Sequence, residues 1–187
     1  MKLTATKRVS GRKGELKEIR RQGKIPAILY CQGKPNEQLT LETTEFAAVL
    51  RQMKQGHLPT TTFVLTLAGK EIKAIIKDIQ YQLTTYRVSH IDFEELVPDV
   101  PVSVKVPIQC VGLDACVGLK LGGFLRQVIR HVQVECLPKS IPSEFVVDVR
   151  DLGLRQSKRL MDIPMPEGVK PLAKLDEVVV VIAKMAT

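Results

Sequence analysis

Four consecutive residues, His90-Ile91-Asp92-Phe93, place an imidazole and a carboxylate two positions apart. On a β-strand successive side chains point to opposite faces, so His90 and Asp92 share one face and Ile91 and Phe93 the other. The apolar pair belongs in a core, which turns the polar pair outward. Two chemistries suit such a pair. A carboxylate that orients a histidine makes a general base, and the same two groups can hydrogen-bond base edges or ribose hydroxyls of RNA. An ordinary solvated strand face fits the pattern equally well. No nucleophile motif, oxyanion glycine loop or second titratable cluster accompanies them, so no catalytic residue is assigned. A carboxylate facing RNA is costly unless it meets a donor such as a base amine.

The densest cationic motif is Arg20-Arg21-x-Gly23-Lys24-x-Pro26. It puts two guanidinium forks and an ammonium at a helix end, a geometry suited to phosphate oxygens and base edges. Basic residues at that position also stabilise the helix macrodipole, by about 0.3–1 kcal/mol. Lys13-Gly14 offers a weaker feature, a place where backbone can approach a phosphate. Tyr30 follows the motif and has two readings, stacking or hydrogen bonding on RNA and packing in a core with its hydroxyl satisfied.

Charge supports a polyanion partner. The first 34 residues carry ten basic side chains against Glu15 and Glu18, and the remaining residues balance 18 against 18, so the N-terminal segment holds the whole net charge of +8. A one-sided field of this kind concentrates polyanions, and spreading cations along a phosphate backbone releases condensed counterions. The alternative is a well-solvated surface that aids solubility.

These groups need elements to position them. Leu3 to Val9 reads as a strand. Lys13 to Gln22 reads as a short helix with Leu16 and Ile19 on one face, ended by Gly23 and prevented from continuing by Pro26. Ala27 to Tyr30 reads as a strand. Phe46, Val49, Leu50 and Met53 recur at helical spacing, with Thr43 or Thr44 to cap the start and Gly56 to end it. Thr62–Leu67, Ala68-Gly69-Lys70 and Glu71–Tyr81 form a hairpin pattern, and Val88–Phe93 a further strand. In the second half Val102 to Ile108, Val132 to Cys136, Phe145 to Val149 and Val178 to Ala183 read as strands. Gly118, Gly122 and Gly123 mark a loop with unusual backbone angles or close packing; they lack the terminal Lys-Ser/Thr of a P-loop and the dinucleotide spacing.

Of the 187 residues, 44% are apolar and only 4% aromatic, so the cores rest on Val, Ile and Leu and favour β structure. The fold class expected is mainly β with a few helices, arranged as a sandwich or barrel. The acidic pair and two prolines at Glu94-Glu95-Leu-Val-Pro98-Asp-Val-Pro101 place a boundary, giving domains 1–96 and 97–187. No apolar run approaches the ~20 residues of a membrane span, and no secretory signal is visible, which predicts a cytoplasmic protein without a membrane partner. Cys31, Cys110, Cys116 and Cys136 form no C-x-x-C pair and are expected as reduced thiols. A zinc site from Cys110, Cys116, His131 and Cys136 matches no common ligand spacing, so no metal or other cofactor is assigned.

Taken together, Lys7-Arg8, Lys13-Gly14, Arg20-Arg21-Gln-Gly23-Lys24-Ile-Pro26-Ala27-Ile-Leu-Tyr30 and His90-Ile-Asp92-Phe93 resemble bacterial large-subunit ribosomal protein twenty-five. The form resembled is the long, two-domain one, the general stress protein CTC family. The similarity continues through Val111-Gly112, Gly118-Leu-Lys-Leu-Gly122-Gly123, Pro138-Lys-Ser-Ile-Pro142, Pro166-Glu-Gly168-Val169 and Asp176-Glu177-Val178-Val179, and so spans nearly the whole chain. The family carries glycines directly after the motif tyrosine, where this chain has Cys31-Gln32, and often Gly-Asp-Ser-Leu where this chain has the basic stretch Arg155 to Arg159.

The resemblance implies an N-terminal β-barrel that binds the non-canonically paired loop E helix of 5S ribosomal RNA, followed by a second β-rich domain with no established chemistry. The implied contacts are Arg8, Arg20, Tyr30, His90 and Asp92, with Lys13, Arg21 and Lys24 on phosphates. The implied setting is the large ribosomal subunit with neighbouring ribosomal proteins, in the cytoplasm and on the ribosome, with no catalysis and no small-molecule substrate. A tRNA- or mRNA-binding regulator outside the ribosome is the alternative that the same charge would serve.

Overall fold

The computed structural model describes residues 1–8, 13–31, 33, 35–67 and 69–184, with Lys13 described by its backbone alone. Val9, Arg12, Gln32, Lys34 and Ala68, all used in reading the sequence, lie outside the described residues. The chain divides into two compact units, Met1–Val100 and Pro101–Thr187.

In the first unit β1 (Lys2–Lys7), α1 (Lys13–Arg21), β2 (Lys24–Tyr30), β3 (Glu37–Glu42), α2 (Thr43–Gln52), β4 (Phe63–Leu67), β5 (Lys70–Tyr81) and β6 (Val88–Glu95) follow in order. The six strands close into a barrel, in the order β1-β3-β2-β6-β5-β4. The pairings β1–β4 and β2–β6 are parallel and the other four antiparallel. Leu3 and Ala5, Ile25, Ala27 and Leu29, Leu39 and Leu41, Phe63, Leu65 and Leu67, Ala74 and Ile76, and Ile91 and Phe93 fill the interior, joined by Phe46 from α2. Phe63 and Phe93 meet edge to face with ring centroids 6.2 Å apart. Each fully buried Leu or Phe contributes about 1.5–3 kcal/mol. A one-residue slip of any strand would turn its whole inner set to water. The apolar pattern therefore holds the register, and the register aims the polar side chains outward.

α1 lies against β2 with Leu16 and Ile19 half-buried and Lys17, Glu18 and Arg21 exposed. Gly23 ends it with φ 76°, a left-handed conformation that glycine adopts without penalty. The strand after it begins at Lys24, three residues before the expected start at Ala27, and runs through Pro26. β6 registers with β2 only from Ala27 onward, so the missing N–H of Pro26 falls before that ladder begins.

Neither expected threonine caps α2. Glu42 occupies the cap position with no side-chain cap bond, and the Thr43 N–H donates instead to the Gly23 carbonyl at 3.0 Å. A backbone acceptor from the exit of α1 thus satisfies a donor that a threonine side chain would otherwise serve. The helix stops at Met53, before Gly56.

The second unit contains β7 (Val102–Val111), α3 (Val117–Lys120), β8 (Gly123–Gln127), β9 (His131–Cys136), β10 (Phe145–Asp148), β11 (Ser157–Arg159), β12 (Lys170–Pro171) and β13 (Val178–Lys184). They form a sheet β10-β7-β9-β12 and a sheet β11-β13-β8. The alternating valines of β7 and β9 are buried, with Phe145, Val147, Val179, Val180 and Ile182. Part of the expected glycine loop is the single turn α3. A Cβ on Gly118 would stand 2.8 Å from Ile182 Cγ2 and 2.9 Å from the Leu152 carbonyl oxygen, and Gly122 has φ 83°, so close packing and unusual angles both occur there. The chain is mainly β among the described residues, with three α-helices. Among the described residues no helix is long and apolar enough to cross a membrane.

Candidate nucleic-acid interface

The outer wall of the barrel is organised by register. β2 and β6 lie side by side with Ala27 beside Ile91, Ile28 beside Asp92 and Tyr30 beside Glu94. Ala27, Leu29, Ile91 and Phe93 point inward and are fully buried, which leaves Ile28, Tyr30, His90 and Asp92 on the outside. β3 sets Gln38 beside Ile28, and β5 sets Asp78 beside Asp92 and Gln80 beside His90. The Arg8 N–H donates to the Gln38 carbonyl at 2.9 Å, continuing the same row across β1. Strands pack about 4.8 Å apart, so Arg8 stands about 14 Å around the wall from Asp92.

His90 Nδ1 lies 2.7 Å from Asp92 Oδ1. That oxygen is sealed from solvent and makes no well-aligned hydrogen bond among the described residues, so the imidazole meets it as a close polar contact. The imidazole Nε2 can accept or donate according to the tautomer. The Tyr30 hydroxyl reaches Asp92 Oδ2 at 3.5 Å, the outer limit of a hydrogen bond. Partial burial, reinforced by the Asp92 charge, pushes the Tyr30 phenol up from its ordinary value, so it stays a neutral donor at physiological pH. Both side chains of the His90–Asp92 pair are four-fifths buried or nearly so, and Tyr30 is 39% exposed. Neighbouring side chains thus hold the pair in a defined pose instead of leaving it to water.

Arg20 joins this group through a bulge. Gln80 pairs with His90 and Tyr81 with Val88, which leaves Ser89 out of register. Its carbonyl accepts Arg20 Nε at 3.0 Å, while its hydroxyl donates to the Gln80 carbonyl. With Nε committed to the protein, the terminal amino groups of Arg20 remain as further donors. The last turn of α1 is thereby fastened beside His90.

The other sequence-selected cations sit farther from the pair. Arg8 folds back so that Nε donates to the Leu39 carbonyl at 3.3 Å. Arg21 is exposed, 3.8 Å from Glu18, and Lys24 lies 3.6 Å from Glu42. Such exposed pairs contribute little and exchange readily for a phosphate. Lys13 begins α1, and its side chain lies outside the described residues. The structure therefore brings Arg20, Tyr30, His90 and Asp92 together, puts Arg8 at the edge of their wall, and places Arg21 and Lys24 around α1 and its exit.

The wall itself is not cationic. Asp78, Asp92 and Glu94 all face outward on it, with Glu94 held by Lys77 at 2.8 Å. Positive charge comes from the flanking helix and the end of β1. The wall offers acceptors that suit donors such as base amines and ribose hydroxyls, and the cationic flanks suit anions. Sequence reasoning passed over Gln38, Gln80 and Ser89. Alternation of Leu39 and Leu41 with Gln38 and Thr40 is the signal that locates β3 and Gln38.

The four cysteines are free thiols. Cys116 is buried with Sγ 3.4 Å from the Leu152 carbonyl, and burial pushes the thiols of Cys110 and Cys136 up. Among the described residues no three His, Cys, Asp or Glu side chains come together as a metal site.

Comparison with known proteins accounts for both units. Residues 3–93 match the family model described as the Ribosomal L25p family, and residues 101–186 match that described as Ribosomal protein TL5, C-terminal domain. The chain is 46% identical over 184 residues to the protein named Large ribosomal subunit protein bL25 of Chlamydia pneumoniae, covering 98% of this chain and 100% of that one. It is 47% identical, with the same coverage, to the protein of that name from Chlamydia muridarum. The resemblance read from the motifs holds along nearly the full length. With a barrel and a second β-rich unit each matched by its own model, the chain belongs to the bL25 family of large ribosomal subunit proteins, in the form that carries both domains.

Proposed function

We propose that this protein is a non-catalytic component of the large ribosomal subunit whose barrel binds 5S ribosomal RNA at the loop E region, in the cytoplasm and on the ribosome. The observation that carries the reading is the convergence of Arg20, Tyr30, His90 and Asp92 on one wall, flanked by the cationic helix α1. A regular A-form duplex hides its base edges in a deep, narrow major groove, whereas an irregular internal loop presents edges and 2′-hydroxyls in a widened minor groove. The wall suits the second surface. Asp92 accepts from base amines or ribose, His90 offers an imidazole nitrogen to base edges or ribose, Tyr30 donates, and Arg8, Lys13, Arg20, Arg21 and Lys24 neutralise phosphates. Because burial already restricts His90 and Asp92, both groups are oriented before RNA arrives, which reduces the entropy lost on binding.

The protein as a whole is proposed to have neighbouring ribosomal proteins as partners, with no substrate and no cofactor. A gel-shift competition between 5S rRNA, tRNA and a loop E duplex tests the assignment. Preference for 5S rRNA and for the loop duplex is expected. Preference for tRNA would move the protein to a regulatory class, and turnover abolished by His90→Ala without RNA would make it an enzyme.

A further inference from the structure

We infer that the tip of the β5–β6 hairpin is a second RNA contact, a stacking surface for unpaired bases of the same RNA that lies on the β2–β6 wall. The inference rests on the RNA-binding reading above and extends it past His90. The chain has three tyrosines, and all three are exposed on this wall or on the hairpin that rises from it: Tyr30 at 39%, Tyr81 at 48% and Tyr86 at 81%. Four of the five phenylalanines, by contrast, are buried. Leu83, at the apex, is 92% exposed. Large rings and an apolar apex left in water mark a contact surface.

The tip is built, not frayed. The Gln82 N–H donates to the Arg87 carbonyl at 2.8 Å, the Tyr86 N–H to the Gln82 carbonyl at 2.9 Å, and Thr85 Oγ1 to Gln82 Oε1 at 2.6 Å. Within it Tyr86 adopts φ 52°, a left-handed conformation that bulky side chains rarely take and that surrounding structure must impose.

Chemistry favours RNA over a protein as the occupant. From Ile79 to Val88 the sole charged side chain is Arg87, and no carboxylate opposes a polyanion. The base of the hairpin is the same Ser89 whose carbonyl is held by Arg20, so the tip continues the cationic edge of α1. Gln80 stands beside His90, so a strand lying on the wall runs on toward Tyr81. Tyrosine rings with an adjacent guanidinium are a sequence-tolerant platform for base faces.

The test uses the full chain and a 5S rRNA transcript, comparing the wild type with a Tyr81→Ala/Tyr86→Gly variant and a Tyr81→Phe/Tyr86→Phe variant. Glycine suits the left-handed backbone at position 86, so the first variant keeps the hairpin turn. The expected result is affinity about tenfold weaker for that variant, new reactivity of unpaired bases toward dimethyl sulfate in its complex, and recovery of both in the phenylalanine variant. Wild-type affinity and wild-type base protection in the Ala/Gly variant would overturn the inference alone and assign the tip to a protein partner. If the wild type itself fails to bind the transcript, this inference and the RNA-binding reading fall together.

Discussion

Replacing Asp92 by alanine separates recognition from attraction. The carboxylate stands 2.7 Å from His90 Nδ1 and accepts from the Tyr30 hydroxyl at 3.5 Å. Its loss removes an acceptor for a base amine, worth about 1–3 kcal/mol of discrimination. It also removes the group packed against the largely buried imidazole, which frees that ring to rotate. Against this stands relief of repulsion between Asp92 and the phosphates. At about 10 Å and an effective dielectric of about 20, suited to a largely buried carboxylate, that repulsion is about 1.7 kcal/mol, and screening at about 0.15 M salt lowers it to about 0.5 kcal/mol. Lost recognition therefore outweighs relieved repulsion. Affinity for a loop E duplex should fall by about 5- to 150-fold, whereas affinity for a fully paired duplex should stay level or rise slightly. Gel shifts on both duplexes at one salt concentration measure the ratio. A ratio unchanged from wild type would refute the assignment of Asp92 to base readout.

Further expectations concern charge, backbone and acid. Arg20→Ala should weaken binding to both duplexes and flatten the dependence of log K on log salt by about one unit, as measured by titrations between low and moderate salt. Gly14 sits inside α1 with open space where a Cβ would stand; Gly14→Ala should raise stability in urea by about 0.5–1 kcal/mol. If backbone at that site approaches a phosphate, the same variant weakens RNA binding, so the two readouts move in opposite directions. In the second unit, side-chain hydrogen bonds from Arg150, then its backbone N–H, hold the Asp148 carboxyl at about 2, below the ordinary 3.8. A depressed folded value means that the pair's contribution is complete above pH 3.8 and disappears as pH falls through about 2. Carboxyl NMR should give a midpoint near the lower value, and Asp148→Asn should flatten the acid limb of unfolding there; an ordinary carboxylate midpoint would contradict the geometry.

Period-two alternation was the most legible signal in the sequence. Ile91 and Phe93 point into the barrel and His90 and Asp92 out, as their spacing requires, and the valines of β7 and β9 behave likewise. Gly23 at the exit of α1 was legible because few residues other than glycine tolerate that backbone angle. What escaped notice depends on partners distant in the chain. β3 is short and mixes Gln and Thr with two leucines, and it becomes a strand because β1 and β2 pair with it on both sides. The start of α2 is satisfied by the Gly23 carbonyl, an acceptor twenty residues upstream of Thr43 that no local cap pattern reveals. The Ser89 bulge, which fastens Arg20 to the wall, arises from a mismatch between two strands and leaves no mark in either one. Strands β8, β11 and β12 are short and lack clear alternation, so only pairing defines them.

The parallel seam between β2 and β6 joins stretches of chain that are made far apart in time. Tyr30 meets Asp92 across 62 residues, and Arg20 meets Ser89 across 69. Until the last strand of the barrel docks, the guanidinium has no carbonyl to grip and the tyrosine no carboxylate beside it. Readiness for a polyanionic guest and completion of folding are thus a single event. An RNA that engages only the finished wall draws the population toward it, adding stability that grows with the logarithm of RNA concentration above the dissociation constant. If the proposed contacts hold, a half-made or partly melted copy, lacking that seam, binds the RNA more weakly.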